Sequence, residues 1–251
     1  MKKVHDHFSH QSESYKKYRP SYPTELYSEI LRFVNTKENC WDCGTGNGQV
    51  ALKLSKYFAH VYATDISQNQ LDSAVKEKNI IYKKVRAEQS GFEDNQFDLI
   101  TVAQAIHWFD FEAFQREILR VAKNEAVLAV WGYGLCKITP PIDEQINIFY
   151  KETIGSYWNV ERKHIDLSYE TIPFNFKQIN EDREMIMAHY WDLNQLKGYL
   201  KTWSSVKNFM KANNGYNPIP ELINSLRNEW NENEKKEIRF PVFLKVGRIE
   251  K

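Results

Sequence analysis

Cysteine is scarce: Cys40, Cys43 and Cys136 are the only three in 251 residues. That number is too small, and odd, for a disulfide scaffold, so a reducing, cytoplasmic setting is the expectation. Cys40 and Cys43 spell C-x-x-C, yet zinc needs a second ligand pair and Cys136 stands alone. The pair therefore reads as two small residues at a strand end. His5, His7 and His10 lack any carboxylate framework and read as solvated, so no metal is expected. Long apolar runs are missing as well, none approaching the ~20 residues of a membrane span. The first residues have a basic pair but no apolar segment of a signal peptide. Charge of one sign is also lacking. The net charge is +1, so no global field would recruit nucleic acid or an anionic membrane. No internal repeat or low-complexity linker divides the chain. What is present is 42% hydrophobic and 27% charged, enough apolar material for one large core or a core domain with an insertion.

The apolar pattern gives the order of elements. Leu26, Ile30, Leu31 and Val34 share one helical face behind Pro23, which is placed to start a helix over 23–34. A short strand ending at Cys43 leads into a glycine loop and a helix over 49–57. Residues 59–65 form a β-rich run ending in Asp65, followed by a helix over 68–77. Residues 80–88 and 97–105 read as third and fourth strands. Asp110 is placed to cap a helix over 111–122, and 126–134 is a fifth strand. Strands that alternate with helices and run apolar on both faces predict a parallel sheet covered on both sides.

Beyond Cys136 the rhythm changes. Ile142, Ile146 and Phe149 keep a helical register, 174–191 looks like strand material, 193–212 reads as one amphipathic helix, and 219–233 as another. The closing segment 238–250 alternates and contains Pro241, which suggests a strand with its proline near an end or at an edge. The organisation predicted is an N-terminal segment and first helix over 1–36, a ligand-binding core over 37–138, a cap over 139–235, and a last strand over 236–251 that returns to the core.

The chemistry gathers around DCGTGNG, residues 42–48. In an open parallel sheet the first strand-to-helix turn anchors the ligand. A dinucleotide-binding turn would read G-x-G-x-x-G, offering a pyrophosphate a helix N-terminus. Here the spacing is G-x-G-x-G, and Gln49 stands where that pattern wants glycine. Asp42, at the mouth of the turn, would repel phosphate but suits an ammonium group. Asp65 ends the second strand, where a carboxylate can accept both ribose hydroxyls, with helix capping as the competing role. Arg86, Ala87 and Glu88 end the third, where an adenine edge would lie. A ligand with adenine, ribose, amine and carboxylate but no phosphate fits these groups, and S-adenosylmethionine is one.

On these motifs the chain resembles the class I S-adenosylmethionine-dependent methyltransferases, whose first motif is acid-x-G-x-G-x-G. It is most similar to the small-molecule branch related to trans-aconitate methyltransferases, through YRPSYP at 18–23, QAIHWFD at 104–110, YLKTWSSV at 199–206 and the closing FPVFL. The resemblance spans nearly the whole chain. It implies a Rossmann-like, doubly wound, mostly parallel sheet, the seven-strand methyltransferase fold, with a helical, aromatic-rich cap. It also implies that Gly44, Thr45 and Gly46 approach the methionine part of S-adenosyl-L-methionine, with Asp42 facing it directly or through water. Asp65 would hold the ribose, Ile66 would pack on adenine, Ala87 and Glu88 would border the base, and Ala103 and Gln104 would line the route to the sulfonium.

His107 is the candidate base, with a structural histidine as the alternative. Tyr15, Tyr18 and Arg19 precede the first helix in a segment that the family folds over the donor. Arg19 either grips an acceptor carboxylate or tethers that segment. Trp108, Phe109, Trp131, Trp158, Trp191 and Trp203 either build an acceptor chamber or form the core of the cap. The partner expected is a small molecule, with neither nucleic acid nor membrane. The competing readings are a noncatalytic S-adenosylmethionine-binding protein, an RNA methyltransferase, which would show a basic face, and a nicotinamide-dependent dehydrogenase, disfavoured by Asp42 and Gln49.

Overall fold

The computed structural model describes residues 18–180 and 184–251. Tyr15 and the early histidines His5, His7 and His10 lie outside them.

The first helix, α1 (Thr24–Leu31), follows Pro23 and buries Leu26, Tyr27, Ile30 and Leu31. Fully burying one such aliphatic side chain contributes roughly 1.5–3 kcal/mol, which anchors this short helix on the sheet. Five strands then run parallel: β1 (Asn39–Cys43), β2 (His60–Asp65), β3 (Ile80–Lys84), β4 (Phe97–Ala103) and β5 (Ala122–Tyr133). Their spatial order is β3-β2-β1-β4-β5, so the chain reverses direction across the sheet between β1 and β4. Ligands bind at the carboxyl ends of strands beside such a reversal. Between the strands lie α2 (Gln49–Leu54), α3 (Gln68–Asp72) and α4 (Phe111–Val121), and Asp110 caps α4 by accepting from Ala113 N at 3.2 Å.

The second half combines cap and sheet. Helices α5 (Pro140–Ile148), α6 (Arg162–Asp166), α7 (Leu193–Lys201), α8 (Ser204–Ala212) and α9 (Ile219–Leu226) alternate with β6 (Lys177–Gln178), β7 (Met185–Trp191) and β8 (Lys236–Ile249). Strand β8 pairs antiparallel with β5 on one edge, and with β6 and β7 in succession on the other. The span 139–235 thus supplies sheet strands as well as cap helices. The result is the doubly wound, mostly parallel sheet expected, with an aromatic cluster in the cap, where Trp203 packs against Tyr150, Trp158 and Tyr199.

Helices α2, α3 and α9 end short of the expected 57, 77 and 233, and three further expectations change. The helix expected over 193–212 is two helices, because Thr202 turns its hydroxyl onto Tyr199 O at 2.6 Å and Trp203 is extended at ψ 132°. Thr, Trp and Ser in a row hold a helix weakly, and the buried Trp203 ring decides the break. The third strand stops at Lys84, and Glu88 is carried by the turn in which Arg86 pairs with Gln89. Pro241 is in mid-strand, opposite Ile186 on one side, where the β5 ladder ends on the other. Its carbonyl accepts from Gly134 N at 2.9 Å, and the N–H that proline lacks falls just beyond the last β5 pair.

Cys40 and Cys43 both lie on β1, three residues apart, and so face opposite sides of the sheet. One belongs to each of the two apolar clusters that the sheet separates, and the two cannot chelate one ion. Among the described residues no helix is long and apolar enough to cross a membrane.

Candidate functional site

The turn after β1 is built by backbone bonds to β2. Gly44 N and Thr45 N both donate to Thr64 O at 2.9 Å, and Gly46 N donates to Asp65 Oδ2 at 2.9 Å. Gly44, Gly46 and Gly48 have φ of 71°, 56° and 80°, a region that suits glycine. Space separates their roles. A Cβ on Gly44 would come within 2.6 Å of Ala105 Cβ, and one on Gly48 would strike the Tyr82 hydroxyl. Around Gly46 the nearest atom is Gln70 Oε1 at 3.9 Å. Two of the three glycines therefore make room for the protein itself, and Gly46 is the one with open space where a side chain would go.

Asp42 is 1% exposed beneath this turn. Thr45 Oγ1 donates to one of its oxygens at 2.5 Å and Thr101 Oγ1 to the other at 2.9 Å. Burial dominates and pushes its carboxyl up to about 6, while the hydrogen bonds from Thr45, Thr101 and the Ala51 backbone pull it down and the charge of Asp65 pushes it up. Thr101, on the neighbouring strand at the register of Asp42, carries no motif that sequence reading could have caught.

Asp65 accepts Gly46 N on one oxygen and Ser67 N on the other, both at 2.9 Å. The cap of α3 is Ser67, whose side chain accepts from Gln70 N. Asp65 instead ties the glycine turn to the end of β2. Glu88 accepts Arg86 Nε at 3.2 Å and Asp110 N at 3.0 Å. Gln104 has φ 52°, and its side-chain oxygen accepts from Tyr133 N at 2.8 Å. That bond holds the backbone turn after β4 against the end of β5.

Asp42, Gly44, Thr45, Gly46 and Asp65 all border one cavity of about 180 Å³ at the carboxyl edge of the sheet. Ile66, Ala87, Glu88, Ala103 and Gln104 border the same cavity. So do Arg19 and Trp108. Sequence reading assigned no role to Thr64, Val85 or Tyr133, which also line it. Among its described lining residues are three carboxylates, Asp42, Asp65 and Glu88, against one cation, Arg19.

His107 and Tyr18 do not line it. His107 is 3% exposed, with Nδ1 3.0 Å from the Tyr169 hydroxyl, and it borders a second cavity of about 60 Å³. Arg19, Gln104 and Trp108 line both cavities and form the junction between them. Tyr18 lies against α7, where a Cβ on Gly198 would strike its ring. Arg19 Nη1 donates to Tyr133 Oη at 2.7 Å and Nη2 to Thr202 O at 3.5 Å, and the guanidinium lies 5.5 Å from the Tyr199 ring centre.

The tryptophans divide too. Trp131 on β5 and Trp191 on β7 are core residues, while Trp108, Trp158 and Trp203 line the second cavity. Phe109 borders the first cavity.

The chain is similar to known proteins. A family model described as a methyltransferase domain matches residues 41–130. A Dictyostelium discoideum protein named as a methyltransferase is 36% identical, over 99% of this chain and 97% of its own length. A Saccharomyces cerevisiae protein named as an S-adenosylmethionine-dependent methyltransferase is 26% identical over 86% of this chain and 87% of its own. Among solved structures, a chain described as a type II methyltransferase from Anaeromyxobacter dehalogenans superposes with a TM-score of 0.84 at 31% identity, covering 92% of this chain and 98% of that one. Similarity at that level over nearly the full length places this chain in the methyltransferase family.

Proposed function

We propose that the chain transfers the methyl group of S-adenosylmethionine to a small-molecule acceptor carrying a carboxylate. The observation that carries the donor assignment is the charge of the larger cavity, where, among the described residues, three carboxylates meet a single guanidinium. Such a surface repels a pyrophosphate and suits a ligand whose charge is an ammonium or a sulfonium. Asp42, held by two hydroxyls, would face the amine, and Asp65 would take the ribose hydroxyls from a carboxylate already fixed by two backbone N–H groups. Ile66 and Ala87 offer an apolar slot for the adenine, and Glu88 borders it. Ala103 and Gln104 sit on the path toward the second cavity.

When bound, S-adenosylmethionine supplies a methyl on a sulfonium, a leaving group that needs no proton. The residues of the chain then act mainly by alignment, which is worth ~7–11 kcal/mol of barrier in well-oriented reactions. His107 borders the second cavity, beyond the junction, and would act there as the base for an acceptor that must lose a proton. Tyr169 holds its Nδ1 at 3.0 Å. Arg19 and Trp108 close the junction, and Tyr18, bedded on Gly198, holds the entering segment on the cap. The small second cavity and the near-neutral charge favour a metabolite over a polymer. Three buried, reduced cysteines agree with a cytoplasmic site of action.

The test is calorimetry with S-adenosylhomocysteine and with a nicotinamide dinucleotide, followed by a screen of pooled metabolites for S-adenosylhomocysteine release. Binding of the first ligand and turnover on a small acid are expected. Dinucleotide heat without S-adenosylhomocysteine heat would overturn the reading.

A further inference from the structure

We propose that Arg162, on cap helix α6, selects the acceptor by holding an anchoring carboxylate that is not the group methylated. This rests on the assignment of the second cavity to the acceptor. The described lining of that cavity includes two arginines and no carboxylate. The two arginines are held differently. The guanidinium of Arg19 bridges Tyr133 Oη and Thr202 O, so both of its Nη groups already work inside the protein.

Arg162 is gripped from behind. Its Nε donates to Tyr150 Oη at 2.7 Å and to Asp166 Oδ1 at 3.2 Å, and Tyr150 Oη donates in turn to Asp166 Oδ1 at 2.7 Å. The guanidinium carbon lies 5.3 Å from the Tyr150 ring centre and 4.8 Å from that of Trp158, so two aromatic faces fix its plane. Neither Nη group has a hydrogen-bond partner among the described residues, although the side chain is only 17% exposed. A desolvated fork, oriented on its Nε side and with its two outer amines available, matches a carboxylate in bidentate geometry.

Arg162 lines the second cavity and not the first. The group it holds is therefore kept away from the donor side, and the atom to be methylated must lie at the junction, near Gln104 and Trp108. The substrate class is a small acid with an apolar or aromatic body against Trp158 and Trp203 and a second nucleophilic group beyond it.

The test uses the full chain saturated with S-adenosylhomocysteine and titrated with phenylacetate or its neutral isostere phenylacetamide. Wild type should bind the acid about tenfold or more tightly than the amide, in line with a charge-assisted bidentate contact. Arg162→Gln should abolish that preference with S-adenosylhomocysteine affinity unchanged. Arg162→Lys keeps the charge without the fork and should retain only part of the preference, and it decides the matter if the Gln variant is unstable. A preference that survives intact in either variant overturns the proposal, as does a wild type that does not prefer the acid, binding of neither probe included. Absence of S-adenosylhomocysteine heat would instead sink the donor assignment, so the two failures are distinguishable.

Discussion

The imidazole of His107 and the hydroxyl of Tyr169 lie 3.0 Å apart, although 62 residues separate them in the chain. Tyr169 is 1% exposed and has φ 62°, a left-handed backbone uncommon for an aromatic residue. A turn held in that conformation aims the hydroxyl at the ring. If His107 is the base, His107→Ala lowers turnover by about 10²–10⁴-fold with donor affinity intact. Tyr169→Phe, which removes the contact to Nδ1, should cost less. Unchanged turnover in His107→Ala, on an acceptor that must lose a proton, would leave the histidine a structural role.

Asp65→Ala should weaken S-adenosylhomocysteine binding more than it lowers the melting temperature. Each charge-assisted hydrogen bond lost is worth ~1.5–3 kcal/mol, or one to several decades in affinity for a pair. The structure adds a cause, since Gly46 N and Ser67 N lose their acceptor as well. Asp65→Asn, which keeps one acceptor oxygen, should fall between. Equal affinities across all three proteins would reduce Asp65 to a tie between the turn and β2.

Asp42 makes ligand-free stability depend on pH. Burial lifts its carboxyl from 3.8 to about 6, so between these values the folded chain keeps a proton that the unfolded chain has lost. Its contribution is full below about 4 and is lost as pH rises through about 6, at roughly 1.4 kcal/mol per unit of pH between the two. Asp42→Asn should raise the melting temperature at pH 7.5 and leave it near wild type at pH 4. A bound ammonium favours the charged carboxylate, so donor affinity in wild type should rise with pH through about 6 and flatten in the variant. Calorimetry between pH 4 and pH 8 checks both, and a variant with the wild-type slope would show that another group titrates.

Arg19→Lys keeps a cation but cannot span Tyr133 Oη and Thr202 O at once. The melting temperature should fall by a few degrees, about what loss of ~1 kcal/mol brings in a domain of this size. Because Arg19 lines both cavities, the acceptor KM should rise as well. A raised KM with an unchanged melting temperature would mean that Arg19 grips the acceptor directly and is not a strut.

The gathering of the glycine turn and its acids at one cavity was legible because local geometry sets those residues. Asp42, Gly44, Gly46 and Asp65 sit at the ends of adjacent strands or in the turn between them, where period and spacing fix their direction. Other contacts were not: nothing along the chain marks Tyr169 or Thr101, whose partners His107 and Asp42 lie 62 and 59 residues away. The break at Thr202 and Trp203 was invisible for a related reason, since periodicity continues through it and only the burial of the Trp203 ring ends the helix.

By itself the sequence determined the alternating strands and helices, the parallel sheet, and an acid-flanked glycine turn unsuited to phosphate, because each follows from side-chain period and charge over a few residues. The tertiary structure decided which glycine opens outward, which tryptophans line a chamber, and which arginine is already occupied. Those outcomes depend on long-range closure: Tyr133 reaching Arg19 and Tyr169 reaching His107. Hydrogen bonds and ring contacts between distant segments form only when the sheet and cap pack together, and no spacing along the chain encodes them.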